Sequence, residues 1–123
     1  MLFPPRHSEA PQRVVVTGAG IVTALGLGWR ANAEGFRRGI RAFRPVTRFD
    51  VSRQRAKTAA EVDLPAGLPP TRLSARTAKR LNRASRLLLW ATAEAWSQSG
   101  WAAGGPLPLV LGTTGCGTEC GEE

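Results

Sequence analysis

The sequence contains few of the side chains that enzymes use for nucleophilic and acid–base chemistry. Its 123 residues include one histidine, two cysteines and no tyrosine. The histidine, His7, lies in a proline-rich opening segment, far along the chain from Cys116 and Cys120. A tetrahedral zinc site needs four ligands, which these residues do not supply, and two thiols this close on a loop more often stay reduced in a reducing compartment. We therefore expect no metal, no cofactor and inert cysteines.

Acidic residues are scarce as well. Lysine and arginine number 17 against 9 aspartate and glutamate residues, so the formal net charge is +8. Arginine predominates, and its guanidinium favours phosphate and carboxylate groups. The charge indicates an acidic protein, nucleic acid or an anionic membrane as partner, but an arginine-rich composition also arises from codon usage alone. Only clustering of the charges distinguishes these origins.

Long hydrophobic runs are absent. No stretch approaches the eighteen or so apolar residues of a membrane helix, and the first residues lack the apolar core of a secretion signal. These absences predict a cytoplasmic protein without a membrane span.

Residues 1–12 carry three prolines and no periodic pattern, so they are expected to form a disordered tail.

The next segment predicts a strand, a turn and a helix. Three consecutive β-branched residues, Val14–Val16, are typical of a strand buried on both faces in a parallel sheet. The glycines of Thr17–Gly20 then allow the backbone to turn tightly. Apolar and charged residues alternate at helical spacing from Trp29 to Arg38, and Gly39 is a plausible stop.

The longest predicted element is a helix that starts at the N-cap Ser74 and runs to about Ser99, where Gly100 ends it. On a helical wheel one side carries small and apolar residues and the opposite side is basic. The small and apolar side consists of Leu81, Ala84, Ser85, Leu88, Thr92, Ala95 and Ser99, and the basic side of Arg76, Lys79, Arg80, Arg83 and Arg86. This pattern predicts a helix that packs on a sheet and presents a basic ridge outward.

Short strands are predicted on both sides of this helix. Residues 40–73 are otherwise irregular because they contain four prolines, but the alternation over residues 60–64 allows a strand. Residues 106–112 predict a second buried strand, followed by a glycine-rich turn over residues 113–117. Right-handed crossovers would make the first and last strands parallel. The order predicts an α/β fold with an incomplete parallel sheet and flanking helices.

Two glycines after a strand also suggest a dinucleotide-binding turn. Gly18 and Gly20 would let a pyrophosphate approach a helix N-terminus, but Thr23 occupies the third small position. That fold also needs an acidic residue about twenty residues further on, whereas residues 37–48 hold five arginines and no acid. The dinucleotide interpretation is therefore the weaker one.

The same residues match a known family in order and spacing. Residues 13–26 read as a basic residue, three aliphatics, Thr-Gly, a small residue, Gly and an aliphatic pair, with Ala24 where the family commonly has Pro. The positions that follow in register are Ala33 (where a Trp is common), Phe36, Gly39, Phe43, Phe49 and Asp50. The chain thus resembles the opening of a β-ketoacyl-[acyl carrier protein] synthase. The resemblance covers residues 13–123 and implies a partial N-terminal domain of a thiolase-like fold, from a truncated, frameshifted or split gene product.

The resemblance also implies a chemistry that this chain does not carry. Family members take an acyl group on a cysteine thiolate within a Thr/Ser-Ala-Cys-Ser/Ala motif, and two basic residues promote decarboxylation of malonyl carrier protein in fatty acid or polyketide synthesis. Cys116 and Cys120 lie in other contexts, and His7 has no partner. Asp50 and Glu61 are better interpreted as loop-capping or salt-bridging groups. We expect no catalytic residue here and no condensation by this chain alone.

A partner surface is the remaining implication of the resemblance. The family uses basic residues at the start of the long helix to meet the acidic helix of acyl carrier protein, and aligned on Ser74 these are Arg76, Lys79 and Arg80. The family is typically homodimeric. A solvated helix face explains the same residues, and a small non-catalytic basic module that binds an acidic protein or nucleic acid is the alternative function. Nucleic acid is the weaker partner, because aromatic residues do not interleave with the basic ones.

Overall fold

The computed structural model describes residues 13–102 and 107–113. The disordered tail predicted for residues 1–12 lies outside these residues, as do most of the predicted glycine-rich turn and both cysteines. The described chain is a mixture of helices and very short strands. Its elements are β1 (Val22–Thr23), β2 (Gly26–Leu27), α1 (Gly28–Arg37), β3 (Arg44–Pro45), β4 (Thr58–Ala59), α2 (Ala75–Lys79) and α3 (Arg83–Ser99).

The strands form two small antiparallel ladders. In the first, β1 pairs with β2 so that Val22 faces Leu27, and in the second, β3 pairs with β4 so that Arg44 faces Ala59. A further hydrogen bond from Val46 N to Lys57 O (3.0 Å) extends the β3–β4 hairpin. The short strand allowed over residues 60–64 is thus displaced to Thr58–Ala59.

The first helix confirms its sequence-based prediction. α1 occupies Gly28–Arg37, close to the predicted span from Trp29 to Arg38. A neighbouring glycine ends α1: Gly39 adopts a φ of 64°, which a residue with a Cβ rarely accepts. Its start has no capping side chain at the N-cap residue Leu27, so the cap must come from elsewhere in the chain.

The long helix predicted from Ser74 to Ser99 is wrong as a single element. Both of its ends are confirmed: the Ser74 hydroxyl accepts from Thr77 N (3.2 Å), and Gly100 adopts a left-handed φ of 63°. Between them the chain leaves the helix after Lys79 and starts a second helix at Arg83. Asn82 causes the break, because its side chain accepts from Ser85 N (2.8 Å) and so caps α3.

The predicted pairing of two parallel strands is not seen among the described residues. Val14–Val16 form no strand and are exposed, with relative exposures of 93%, 72% and 87%, and Val110 is 94% exposed. Neither segment pairs with a strand in the described part of the chain, where the ladders present are antiparallel. A strand needs a neighbour for its backbone N–H and C=O groups, and these two segments have none there. Only the broader expectation of mixed α and β content is confirmed.

Large apolar side chains are at most partly buried in the described residues. No hydrophobic residue among those described is buried, whereas Asn32 and Glu61 are, at 2% and 9% relative exposure. The chain is held instead by the contact of α3 with the segment before β1 and by polar contacts of these buried groups.

Candidate partner-binding surface

The glycine turn after Val14–Val16 serves close packing between two backbones. A Cβ placed on Gly18 would lie 2.9 Å from Ser99 N, and one on Gly20 would overlap the carbonyl group of Ala91. The turn therefore lies against the backbone of α3. A dinucleotide site would instead place these glycines at a helix N-terminus that is free to take a phosphate.

The N-terminus of α1 is occupied by a carboxylate from α3. Glu94 accepts hydrogen bonds from Trp29 N (2.7 Å) and Ile21 N (2.9 Å), and Gly28 N donates to Ile21 O (2.9 Å). A negative charge at this position also complements the partial positive charge of the helix end. Glu94 supplies the cap that Leu27 lacks. The contact spans 65 residues of sequence, so no local pattern pointed to it.

Asn32 is the second residue that sequence reasoning missed. Its amide nitrogen donates to Gly26 O (3.0 Å) and Gly28 O (2.8 Å), and its amide oxygen accepts from the Thr23 hydroxyl. The Thr23 hydroxyl in turn accepts from Leu25 N (3.0 Å). These bonds fix the β1–β2 turn on α1. The only signal in the sequence is a polar residue between two alanines within a predicted helix.

A buried carboxylate organises the β3–β4 hairpin. Glu61 accepts from Thr47 N (3.0 Å), the Thr47 hydroxyl (2.8 Å) and Arg48 N (3.2 Å). Burial alone would raise the pKa of Glu61, but these hydrogen bonds and the nearby Arg44 charge outweigh it and hold the pKa below its ordinary value. Glu61 is therefore a structural anion, as the sequence predicts for a salt-bridging group.

Arg44 connects this cluster to the surface. Its guanidinium makes two hydrogen bonds to the Asp63 carboxylate, at 2.7 and 2.5 Å, and its Nε lies 3.4 Å from Glu61. The bond to Arg44 lowers the pKa of Asp63, and the same pairing raises the pKa of Arg44.

Asp50 caps a loop. Its carboxylate accepts from Ser52 N and the Ser52 hydroxyl, both at 2.8 Å, which lowers the pKa of Asp50 and confirms its loop-capping role.

The basic side predicted for one long helix is divided between two environments. Arg83 and Arg86 turn towards residues 62–67: Arg83 donates to Val62 O, and Arg86 donates to Pro65 O (2.6 Å) and Ala66 O (3.0 Å). These two guanidiniums hold a proline-containing loop against the first turn of α3. They are not available as a continuation of an outward ridge.

Arg76, Lys79 and Arg80 form the other part, here called the α2 surface. All three are exposed. They occupy positions i, i+3 and i+4, so their side chains leave α2 and its C-cap on one face. Cations in a last helical turn also interact favourably with the helix dipole, which is a structural reason for Lys79 and Arg80. In the described residues no carboxylate forms an ion pair with any of the three.

The carboxylates elsewhere explain why this cationic surface is left open. Every described carboxylate side chain accepts a hydrogen bond within the chain, namely Glu34, Asp50, Glu61, Asp63 and Glu94. They cap loops and helices or pair with cations close to them. The described acidic groups are thus engaged elsewhere in the chain, and none of them pairs with the α2 surface.

Comparison with known proteins identifies the family. The model of the β-ketoacyl synthase N-terminal domain matches residues 11–118. The chain belongs to the β-ketoacyl synthase family. It is 36% identical over 110 residues to an oxytetracycline polyketide β-ketoacyl synthase 1 of Streptomyces rimosus, a match that covers 89% of this chain and 25% of the relative. It is 32% identical over 104 residues to a granaticin polyketide β-ketoacyl synthase 1 of Streptomyces violaceoruber, covering 82% of this chain and 24% of the relative.

The match is confined to a small part of these synthases. The chain spans about a quarter of the length of the curated relatives that it matches. No solved structure gives a significant match. Within the described ranges there is no cluster of three potential metal ligands, and no helix there has the length and apolar character needed to cross a membrane.

Proposed function

We propose that this chain is the N-terminal portion of a β-ketoacyl-acyl carrier protein synthase with a thiolase-like fold, acting in polyketide or fatty acid synthesis in the cytoplasm. The parent reaction is a decarboxylative Claisen condensation of an acyl thioester with malonyl carrier protein. The family membership of residues 11–118 supports this proposal. Both named relatives are polyketide synthases, which favours polyketide synthesis over fatty acid synthesis.

Condensation needs residues beyond those of this chain. Neither cysteine stands in a Thr/Ser-Ala-Cys motif, and a thiolate nucleophile needs an activating base or helix N-terminus beside it. The chain therefore contributes structure and partner recognition to the reaction, and the nucleophile and the decarboxylating bases come from the remaining part of the synthase. By itself the chain transfers no acyl group.

The α2 surface is the partner-recognition element in this proposal. The observation that carries it is the exposure of Arg76, Lys79 and Arg80 without a counter-ion among the described residues. The Ser74 cap fixes the start of α2 through Thr77 N (3.2 Å), so the three cations emerge from a defined turn. An acidic helix of an acyl carrier protein matches three cations arranged along one face.

The three cations of the α2 surface are expected to act together, because one exposed ion pair contributes little. An exposed ion pair contributes under about 1 kcal/mol, so removing one cation changes affinity little. Three together accelerate association, and this steering weakens as salt screens the charges over about 10 Å at 0.1 M. The proposed interaction is therefore salt-sensitive.

Charge reversal tests the assignment directly. Binding of an acyl carrier protein to the chain is measured by surface plasmon resonance at low salt, for the triple variant Arg76→Glu, Lys79→Glu, Arg80→Glu. The matched control reverses Arg41, Arg53 and Arg55, which are exposed elsewhere and change the net charge equally. We expect the α2 variant to lose at least about tenfold in affinity, equivalent to about 1.4 kcal/mol, and the control to lose less than about twofold.

Two outcomes contradict the assignment. Equal weakening in both triple variants means that only net charge matters, and an unchanged affinity in the α2 variant leaves α2 as solvated surface. If the chain binds duplex DNA more tightly than carrier protein, and the α2 variant loses this DNA binding, the result favours the alternative of a small basic module that binds nucleic acid.

A further inference from the structure

A cationic cavity lies where the first turn of α3 meets the segment after β4. Arg48, Arg83 and Arg86 line this cavity, which has a volume of about 320 Å³, and Asp63 contributes a carboxylate to its wall. We call it the arginine cavity. Its volume lies at the lower end of the range for small-molecule sites, and none of the α2 surface residues lines it. The arginine cavity is therefore separate from the proposed carrier contact.

The carboxylate of the wall does not balance the three guanidiniums. Arg44, which lies outside the wall, holds Asp63 by two hydrogen bonds of 2.7 and 2.5 Å. The hydrogen bond with Arg44 is the main reason that the pKa of Asp63 is low, and the charges of Arg83 and Arg48 lower this pKa further. No ion pair among the described residues involves the three arginines of the cavity. The cavity thus keeps a positive excess, and a cleft lined by one sign of charge concentrates counter-ions.

The start of α3 carries the opposite charge to the one that its dipole favours. The helix begins at Arg83, two of its first four residues are arginines, and its first turn contains no acidic residue. A helix N-terminus has a partial positive charge, so cations there are unfavourable and anions are stabilising. Leu81 and Arg83, on either side of the N-cap Asn82, both line the cavity, which places it beside this helix end. A bound anion would offset the charges of the helix end and of the guanidiniums together.

The three guanidiniums keep donors for a ligand. Arg83 and Arg86 donate to backbone carbonyls within residues 62–67, which fixes where their side chains lie. These bonds use one terminal nitrogen of each side chain, whereas a guanidinium carries five N–H groups in a planar fork. The guanidinium of Arg48 has no hydrogen-bond partner in the described part of the chain. The cavity therefore combines two positioned donor groups with a third that no described residue engages.

Phosphate matches this arrangement better than a carboxylate does. A phosphate monoester carries a charge of about −1.5 to −2 at neutral pH and three acceptor oxygens, whereas a carboxylate carries a single charge and two oxygens. The guanidinium fork fits either group, but three forks in one cavity need more than two acceptor oxygens. We propose that the arginine cavity binds a phosphate dianion, either free or as the terminal monoester of a small molecule. This site is independent of the proposed function.

A titration followed by NMR tests the site with the whole chain. The isotopically labelled chain, kept dilute and cold at constant ionic strength, is titrated in turn with inorganic phosphate, glycerol 3-phosphate and acetate. We expect saturable amide shifts at residues 62–64 and 81–86, because these segments line the cavity. At least one of the two phosphate compounds should bind at least about tenfold more tightly than acetate.

Substitution of Arg48 separates the cavity from the overall charge. Arg48→Glu should weaken phosphate binding at least about tenfold, because a repelling carboxylate replaces a charge-assisted donor. Arg53→Glu is the matched control: Arg53 is also exposed and does not line the cavity, so its reversal should weaken binding less than about twofold. Arg48→Gln adds no repelling charge and should still weaken binding at least about threefold. Amide exchange of α3 should be unchanged in all three variants, which shows that they act on the ligand and not on the helix.

Three results overturn the proposal. Acetate binding as tightly as phosphate, or equal weakening in Arg48→Glu and Arg53→Glu, means that net charge alone attracts the anions. Shifts that do not saturate at residues 62–64 and 81–86 mean that the cavity holds no ligand. Stronger shifts of the same amides by duplex DNA, at equal phosphate concentration, favour a nucleic-acid surface instead.

The two phosphate compounds distinguish the source of the ligand. Tighter binding of glycerol 3-phosphate assigns the site to a monoester, and binding of inorganic phosphate alone assigns it to the free ion. The α2 charge-reversal variant should bind phosphate within about twofold of the unmodified chain. Phosphate binding without any carrier binding overturns only the carrier contact, and carrier binding without saturable phosphate shifts overturns only the arginine cavity.

Discussion

At the scale of single residues, small and polar side chains hold this chain together. Gly18 and Gly20 let a backbone approach α3 more closely than any side chain permits. Glu94 then ties α1 to α3, and Asn32 ties α1 to the β1–β2 turn. The side chains of Glu94 and Asn32 each bond to backbone groups that would otherwise be left without partners. Their loss should therefore cost more than substitution of the exposed apolar residues.

Gly20→Ala tests the close approach of the two backbones. The added Cβ would overlap the Ala91 carbonyl, and backbone on both sides cannot yield as a flexible side chain does. We expect a destabilisation of the α3 contact by about 1–3 kcal/mol, seen as faster amide exchange across residues 91–99. Gly67→Ala is the matched control, because nothing lies within 4 Å of its added Cβ. Equal exchange in both variants would show that α3 is not packed on the glycine turn.

At the scale of elements, the predictions that held were those with local causes. The end of α1 at Gly39, the cap at Ser74 and the stop at Gly100 depend on a few neighbouring residues, and the structure has all three. The division of the long helix was missed because wheel periodicity continues smoothly across Arg80 and Leu81. Asn82 is a strong N-cap within that periodic pattern, and its capping bond to Ser85 decides the outcome.

The strand pairing, the helix cap by Glu94 and the particular partners of Glu61 could not be predicted from the sequence, for a different reason. Val14–Val16 have high strand propensity, but pairing depends on a neighbour that no local pattern supplies. Glu94 acts at a distance of 65 residues from Trp29, and Glu61 acts 14 residues from Thr47. The α2 surface was accessible to prediction because exposure of cations at i, i+3 and i+4 follows from helix geometry alone. Its partner is a matter for experiment.

Asn82 provides the test at this scale. Asn82→Ala removes the side-chain acceptor for Ser85 N, so the first turn of α3 should lose about 1 kcal/mol of stability. We expect faster amide exchange at residues 83–86 and a weaker hold of Arg83 on Val62 O. Asn82→Asp keeps an acceptor and adds a favourable charge at the helix start, so its exchange should match the unmodified chain. If the alanine variant behaves like the aspartate variant, the break between α2 and α3 has another cause.

At the scale of the whole molecule, many cationic and many large apolar side chains are exposed. The described carboxylates are all engaged within the chain, which leaves the +8 net charge expressed largely by exposed guanidiniums. Many large apolar side chains are exposed as well, including Trp29, Phe36, Phe43 and Leu88. A cooperative fold needs a buried apolar core to offset chain entropy. The described residues lack the buried apolar core that such a fold would need.

The isolated chain should therefore unfold without cooperativity. Heating followed by circular dichroism is expected to give a gradual loss of helix signal, because the helices are held by polar contacts and no common core links them. The exposed apolar side chains should bind a hydrophobic dye at neutral pH and promote aggregation as the concentration rises. A sharp melt of a soluble monomer would contradict this expectation and would require a core formed by the chain itself.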